Sequence, residues 1–253
     1  QIVVLHKING GVADARNEGI RIARGEAICF FDSDDIVHPK MLELMYQNMM
    51  TLGVDVVVSQ YFRYEKDCRL LRYCLPVKPN TKIKAEELLD RMYTNGFNTA
   101  TVWNKMYRMD IVKEHPYPKI KIEDGAWTPY ILSFMKTASY IDCPLYGWDR
   151  RVEIQKKTAS NYIVEMKRTE RVIEDKEVNL FFIENGAKEK QNNLLSIAVR
   201  RTVQRLKRYK GENNPYRGFL YELNEKYGPL LENPCIIADA NLYEEIRTIL
   251  GKM

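Results

Sequence analysis

The sequence predicts an α/β fold, on three observations. Short apolar runs at 2–6, 28–31, 54–59 and 138–142, mostly β-branched or aromatic, have the length of buried strands. Segments with apolar residues at helical spacing lie between them. From residue 161 onward only the helical period persists, through segments at 161–184, 189–210, 216–226 and 240–250. A chain of 253 residues has room for one α/β unit and a helical appendage. The boundary falls near residue 160, giving an α/β domain over 1–160 and a helical region over 161–253.

Ile2 to His6 reads as the first strand, and Asn9-Gly10-Gly11 as the turn after it. Residues 12–24 form a helix with Val12, Ala15, Gly19, Ile20 and Ala23 along one face, and Gly25 is placed as its C′ residue. Ile28-Cys29-Phe30-Phe31 is the second strand. Pro39 opens a helix at 40–51, whose stripe of Met41, Leu42, Met45, Met49 and Leu52 reads as core. Val54 to Ser59 is the next strand, and the weakly alternating segments at 61–64 and 69–75 pair as edge strands. A helix follows at 84–94. Pro116 and Pro118 break the chain ahead of a helix at 126–136, and Ala138 to Asp142 is a strand closed by Pro144. In the C-terminal region Leu195, Val199, Val203, Leu206 and Tyr209 share one helix face. Arg200, Arg201, Arg205, Lys207 and Arg208 cover the rest. Such a helix either packs on a core with a solvated basic face or lies on a membrane surface.

One stretch carries chemistry. The strand ending at Phe31 runs directly into Asp32-Ser33-Asp34-Asp35, three carboxylates in four positions. Carboxylates crowded in this way raise one another's pKa, so the arrangement is costly unless a positive charge sits among them. A hard divalent cation, its shell completed by phosphate oxygens, resolves the conflict. A solvated turn or a helix cap uses the same residue types. Other groups stand out along the chain: Arg16-Asn17 in the first helix, Trp103-Asn104-Lys105, Glu123-Asp124 ahead of Trp127, and Arg150-Arg151 after Leu145-Tyr146-Gly147-Trp148-Asp149. Each has a plain structural reading as a helix surface, core or helix N-terminus, where the macrodipole favours acids. Trp127 packs either on a sugar ring or on the core.

The block NGGVADARNEGIRIARGEAICFFDSDD, residues 9–35, resembles the nucleotide-sugar glycosyltransferases of family 2, which have the Rossmann-like GT-A fold. The resemblance rests on an N-x-G segment, an A-R-N-x-G helix, a second Gly and an apolar strand ending in D-x-D-D, and W-N-K-x-Y-R at 103–108 extends it. It covers roughly residues 1–160 and implies a GT-A core lacking its usual first strand–helix units, which carry much of the site for the nucleotide base. It places Asp32 and Asp34, with Asp35 in support, on a Mg²⁺ or Mn²⁺ ion at the donor diphosphate, with Asp32 also near the ribose. Arg16, Asn17, Asn104 and Lys105 fall on the donor side. Arg150 or Arg151 meets the diphosphate, although Gly147 and Asp149 depart from the family's tyrosine-rich pattern there. Asp124 is the general base and Glu123 its neighbour or an acceptor ligand. The implied reaction inverts at the anomeric carbon of a nucleoside diphosphate sugar, with a hydroxyl of a glycan or lipid-linked glycan as acceptor, in surface polysaccharide synthesis.

Composition constrains the partners and the compartment. The formal net charge of +5 lies mostly after residue 150, which suits peripheral contact with an anionic membrane and calls for no nucleic acid. Five cysteines without short spacings argue for a reducing compartment, hence the cytoplasm or the inner face of the membrane. Cys29, inside an apolar strand, reads as a small buried thiol. Three scattered histidines argue against a His-rich zinc site. No run reaches the length of a membrane span. Beside the transferase stand two other classes: a non-catalytic nucleotide- or glycan-binding module, and a membrane-docking subunit working through the basic helices.

Overall fold

The computed structural model describes residues 2–64, 70–73, 77–94, 101–149, 161–189, 192–208, 214–226, 229–232, 234–237 and 240–251. In chain order these form α1 (Val12–Ile22), β1 (Ala27–Cys29), β2 (Ile36–Val37), α2 (Met41–Leu52), β3 (Val56–Tyr64), β4 (Leu70–Tyr73), β5 (Ile83–Lys84) and α3 (Ala85–Thr94). There follow β6 (Lys105–Arg108), α4 (Met109–Glu114), α5 (Glu123–Phe134) and β7 (Thr137–Asp149). The helical region holds α6 (Asn161–Glu189), α7 (Asn192–Arg208), α8 (Pro215–Lys226), a 3-10 turn at Leu230–Glu232, α9 (Pro234–Ile237) and α10 (Ala240–Leu250). The sheet runs β1-β6-β3-β7-β2, with β4 added to β3 and β5 to β7. Strands β3 and β7 are parallel, and the other pairs are antiparallel. This is the expected mixed α/β architecture followed by a helical region.

The core forms where the sequence is most apolar. Val56, Val57 and Val58 of β3 are fully buried because β6 and β7 flank the strand and helices cover it. Met41, Met45 and Met49 recur every four residues and make the buried stripe of α2. Leu42, one position and so about 100° round the helix from Met41, is 51% exposed and not core. Gly53 ends α2 in the left-handed conformation at φ 59°, where a side chain would be strained. One apolar cluster continues from the sheet through α5 into α6, α7 and the last helices.

Several expectations are corrected. Ile2 to His6 forms no strand, and Ile2 is 91% exposed. A non-alternating apolar run needs cover on both faces, and no described strand pairs with it. Helix α1 stops at Ile22 because Ala23 is extended at ψ 139°, so Gly25 is not its C′ residue. The buried face of α1 is Ala13 and Ile20, and Val12, Ala15 and Gly19 lie open. Strand β1 ends at Cys29, opposite Met106, and Phe30 and Phe31 continue beyond the ladder. Helix α5 begins at Glu123 and ends at Phe134, short of the expected 136. Pro144 does not close β7: it faces Gln60 at a register shift, where a bulge accommodates the missing N–H. Strand β2, helix α4 and helix α9 were not expected from the periodicity, being too short to show one. The pairing of 61–64 with the next segment holds, Tyr61 opposite Tyr73 and Tyr64 opposite Leu70, but 61–64 is the end of β3 and lies between β4 and β7, not at an edge.

Two residues of the basic face of α7, Arg201 and Arg205, turn inward. Asp175 of α6, 2% exposed, accepts hydrogen bonds from Arg205 at 2.9 and 3.2 Å, Arg201 at 3.4 Å and the Tyr216 hydroxyl at 2.8 Å. Lys207 pairs with Glu245. Through Asp175, Arg201 and Arg205 tie α7 to α6, and Tyr216 brings α8 to the same carboxylate. Among the described residues no helix is long and apolar enough to cross one.

Candidate active site

A cleft of about 890 Å³ lies between α1, the segment after β1 and the start of α5. Arg16, Asp32, Ser33, Asp34, Glu123 and Asp124 line its polar part, and Ala15, Gly19, Ile28 and Phe31 belong to its apolar part. Each polar group arrives on a different element. Arg16 projects from the middle of α1, the aspartates sit in the turn just past β1, and Glu123 and Asp124 occupy the first turn of α5.

Arg16 ties these elements together. Its guanidinium donates to Glu123 Oε1 at 2.8 Å and to Asp32 Oδ1 at 3.0 Å. The side chains of Arg16 and Glu123 are only 13% and 17% exposed, so little water competes for either. Burial alone would weaken the charge on Arg16. Tyr117, Asp32 and Glu123 outweigh it and raise its pKa. The guanidinium also lies 5.4 Å from the centroid of the Tyr117 ring. Without this cation, carboxylates from two ends of the cleft would face each other unscreened.

Asp124 lies beside the bridge and is mostly buried. Burial, and then the charge of Glu123, push its pKa above the ordinary carboxylate value, while the Gly125 N–H and Arg16 pull against them. Its Oδ1 accepts from the Gly125 N–H at 2.7 Å. This environment makes a carboxylate that holds a proton more readily than a surface aspartate does.

The three aspartates do not converge. Asp35 turns away: its Oδ2 accepts from the Tyr146 hydroxyl at 2.5 Å and its Oδ1 from the Asp149 N–H at 2.9 Å. Burial raises its pKa, and these two hydrogen bonds oppose the shift. Asp34 is exposed, and Asp32 holds Arg16. Among the described residues no three His, Cys, Asp or Glu side chains gather closely enough to enclose a metal. Asp32 and Asp34, with Ser33 between them, offer hard oxygen donors on one cleft wall, a set that fits Mg²⁺ or Mn²⁺ if phosphate oxygens and water complete the shell. Asp35 does not fit that role.

The other singled-out residues take different places. Asn17 forms a two-bond clamp, donating to the Tyr117 carbonyl at 3.0 Å and accepting from the Tyr117 N–H at 2.7 Å. It thereby fixes the proline-flanked segment that carries Tyr117 to Trp127, the two rings stacked at 4.1 Å. Trp127 is fully buried and belongs to the core, not to a sugar platform. Asn104 and Lys105 are also fully buried. Lys105 Nζ donates to the Thr101 carbonyl at 2.5 Å and to Asn104 Oδ1 at 2.8 Å. Burial lowers its pKa to about 7, with Asp124 opposing the shift. The pair therefore lies behind the cleft wall. Cys29 is half-buried along the apolar part of the cleft, and burial pushes its thiol up to about 12, which keeps it protonated. Arg150 and Arg151 lie outside the described residues. Tyr117, which sequence reasoning passed over, holds the α1 face, and Tyr146, singled out there only as part of Leu145–Asp149, holds the carboxylate turn. The one advance signal for Tyr117 was its place between two prolines, Pro116 and Pro118.

Residues 1–115 match the family model described as glycosyl transferase family 2. Glycosyltransferase GlyG of Streptococcus pneumoniae serotype 4 is 45% identical over 67 residues, covering 26% of this chain and 22% of that protein. The cholesterol galactosyltransferase of Borreliella burgdorferi is 29% identical over 119 residues, covering 44% of this chain and 33% of its own. The chain thus spans about a fifth to a third of the length of these curated relatives. Among solved structures, S. aureus TarS 1–349 in complex with UDP-GlcNAc shares the fold at a TM-score of 0.58 and 17% identity, covering 98% of this chain and 73% of that one.

Proposed function

We propose, from the match of residues 1–115 to the glycosyl transferase family 2 model, that the protein is an inverting transferase of surface-polysaccharide assembly. It moves a hexose or N-acetylhexosamine from a nucleoside diphosphate sugar to a hydroxyl of a glycan or lipid-linked glycan. The observation that carries this reading is the Arg16 bridge, which sets Asp32 and the Glu123-Asp124 pair around one cleft. TarS 1–349, which has the same fold, binds UDP-GlcNAc and UDP, and this supports a uridine nucleotide as the first donor to try.

In this mechanism the acceptor hydroxyl gives its proton to Asp124. The acceptor oxygen bonds to the anomeric carbon from the face opposite the diphosphate. The bond from that carbon to the phosphate oxygen breaks, its electron pair stays on the diphosphate, and configuration inverts. A base works best with a pKa drawn toward the working pH, and the burial of Asp124 beside Glu123 acts in that direction. Glu123, fixed on Arg16, positions the acceptor. Asp32 and Asp34 would hold Mg²⁺ or Mn²⁺, which when bound supplies Lewis-acid stabilisation to the departing diphosphate. Direct displacement needs no nucleophilic Ser or Cys.

Calorimetric titration of UDP into the protein, with and without Mn²⁺, tests the donor side. Release of UDP from UDP-GlcNAc with and without added sugar acceptors tests transfer. The reading expects Mn²⁺-dependent UDP binding that Asp34→Asn removes. Failure of the folded protein to bind UDP under either condition would contradict it.

A further inference from the structure

We propose that Tyr146 is the positioning residue of the carboxylate turn, with Asp35 as its anchor and not as a metal ligand; the consequence for donor binding rests on the transferase reading above. The Tyr146 phenol is fully buried. Its hydroxyl donates to Asp35 Oδ2 at 2.5 Å and accepts from the Asp32 backbone N–H at 3.2 Å. One oxygen therefore holds the first and last aspartates of the turn, and the Asp35 N–H closes it further on the Asp32 carbonyl at 3.3 Å. The other carboxylate oxygen of Asp35 accepts from the Asp149 N–H, which fastens the turn to the end of β7.

The ring is fixed as firmly as the hydroxyl. It stacks on Trp103 at 4.3 Å and 12°, and lies near-parallel to Phe31 at 6.3 Å. Just beyond the turn, Ile36 and Val37 pair with Gly147 and Tyr146, and the His38 N–H donates to the Leu145 carbonyl at 2.9 Å. Gly147 permits this approach, since a Cβ there would lie 2.5 Å from Phe62 and 3.3 Å from Ile36 Cβ. Burial and the Asp35 carboxylate hold the Tyr146 pKa above its ordinary value, so the phenol remains a donor. Three separate sequence features, the D-S-D-D turn, Trp103 and the Leu145–Asp149 segment, thus meet in one assembly. Ser33 and Asp34 are left outside it and exposed, and the Asp32 side chain is free to face Arg16. A turn held in this way presents Asp32 and Asp34 without the entropy cost of ordering them on ligand arrival.

The test uses Tyr146→Phe, which keeps the ring and its stack, and Asp35→Asn, each alone and combined. Native-state hydrogen exchange over residues 31–37 reads the clamp directly, and calorimetry with UDP and Mn²⁺ reads its consequence. Loss of a hydrogen bond to a charged group predicts exchange faster by about tenfold or more in either single variant, with the double variant no worse. Mn²⁺-dependent UDP affinity should fall by about tenfold in each, again without additivity, while thermal unfolding stays cooperative. Unchanged exchange in both single variants would overturn the proposal. So would an Asp35→Asn protein that loses Mn²⁺-dependent binding while Tyr146→Phe retains it, since that pattern makes Asp35 a ligand. If the unsubstituted protein binds no UDP, the transferase reading fails and the exchange result still decides the clamp.

Discussion

Arg16 concentrates the chemistry of the site in one side chain. A guanidinium is a planar fork of donors and can hold two carboxylates in fixed directions, which an ammonium cannot do. Here the fork joins Asp32 to Glu123, residues 91 positions apart in sequence, with the ring of Tyr117 beside it. Arg16→Lys keeps the charge and loses the geometry. A misplacement of about 1 Å in an active site can cost about 10²-fold, so kcat/KM should fall by that order while circular dichroism stays unchanged. Asp124 gives a second residue-scale prediction. Its folded pKa is raised, so the folded state binds its proton more tightly than the unfolded chain does. The stabilising contribution is present below the unfolded pKa and is lost as pH rises through the folded one. At neutral pH the ionised group opposes folding, and Asp124→Asn should raise Tm at pH 7 and change it little near pH 3. A lower Tm at pH 7 would show that the carboxylate is structural.

At the scale of elements, local signals were legible and partner-dependent ones were not. The α2 stripe, the valine strand and the helices of the C-terminal region follow from periodicity, which depends only on neighbouring residues. The carboxylate turn was legible for the same reason: its residues are consecutive. The clamp of Asn17 on Tyr117 joins residues 100 positions apart and leaves no local trace. The passage of β7 through Pro144 depends on a bulge in β7 itself, whose extra residues are set by its register against β3. Arg201 and Arg205 look like solvated helix charges until Asp175, on another helix, is seen between them. That buried cluster makes its own prediction. Removing one partner of a buried ion pair costs about 3–5 kcal/mol, because the remaining charge stays desolvated. Asp175→Asn should lower the urea-unfolding free energy by that order, and Tyr216→Phe by about 1 kcal/mol, the worth of an ordinary hydrogen bond. Equal, small losses in both would mean that the arginines find other partners.

On the scale of the whole molecule, the sheet and its covering helices bring together two halves of a site that the family match treats unequally. Arg16 and the aspartates lie within residues 1–115, whereas Glu123 and Asp124 lie beyond them. Their place in the site rests on the resemblance of the motif and on the cleft they share with Asp32. In the proposed mechanism the start of α5 supplies the base for a donor held by the turn after β1. Asp124→Asn tests it most directly, through turnover and donor affinity measured together. General-base assistance is worth about 10²–10⁴-fold in rate, so turnover should fall within that range while the Kd for UDP in Mn²⁺ stays within about twofold, an energetic change below about 0.5 kcal/mol. Glu123→Gln should be milder. Turnover that survives Asp124→Asn and collapses in Glu123→Gln would move the base by one residue, and turnover that survives both would rule out a general base at the start of α5.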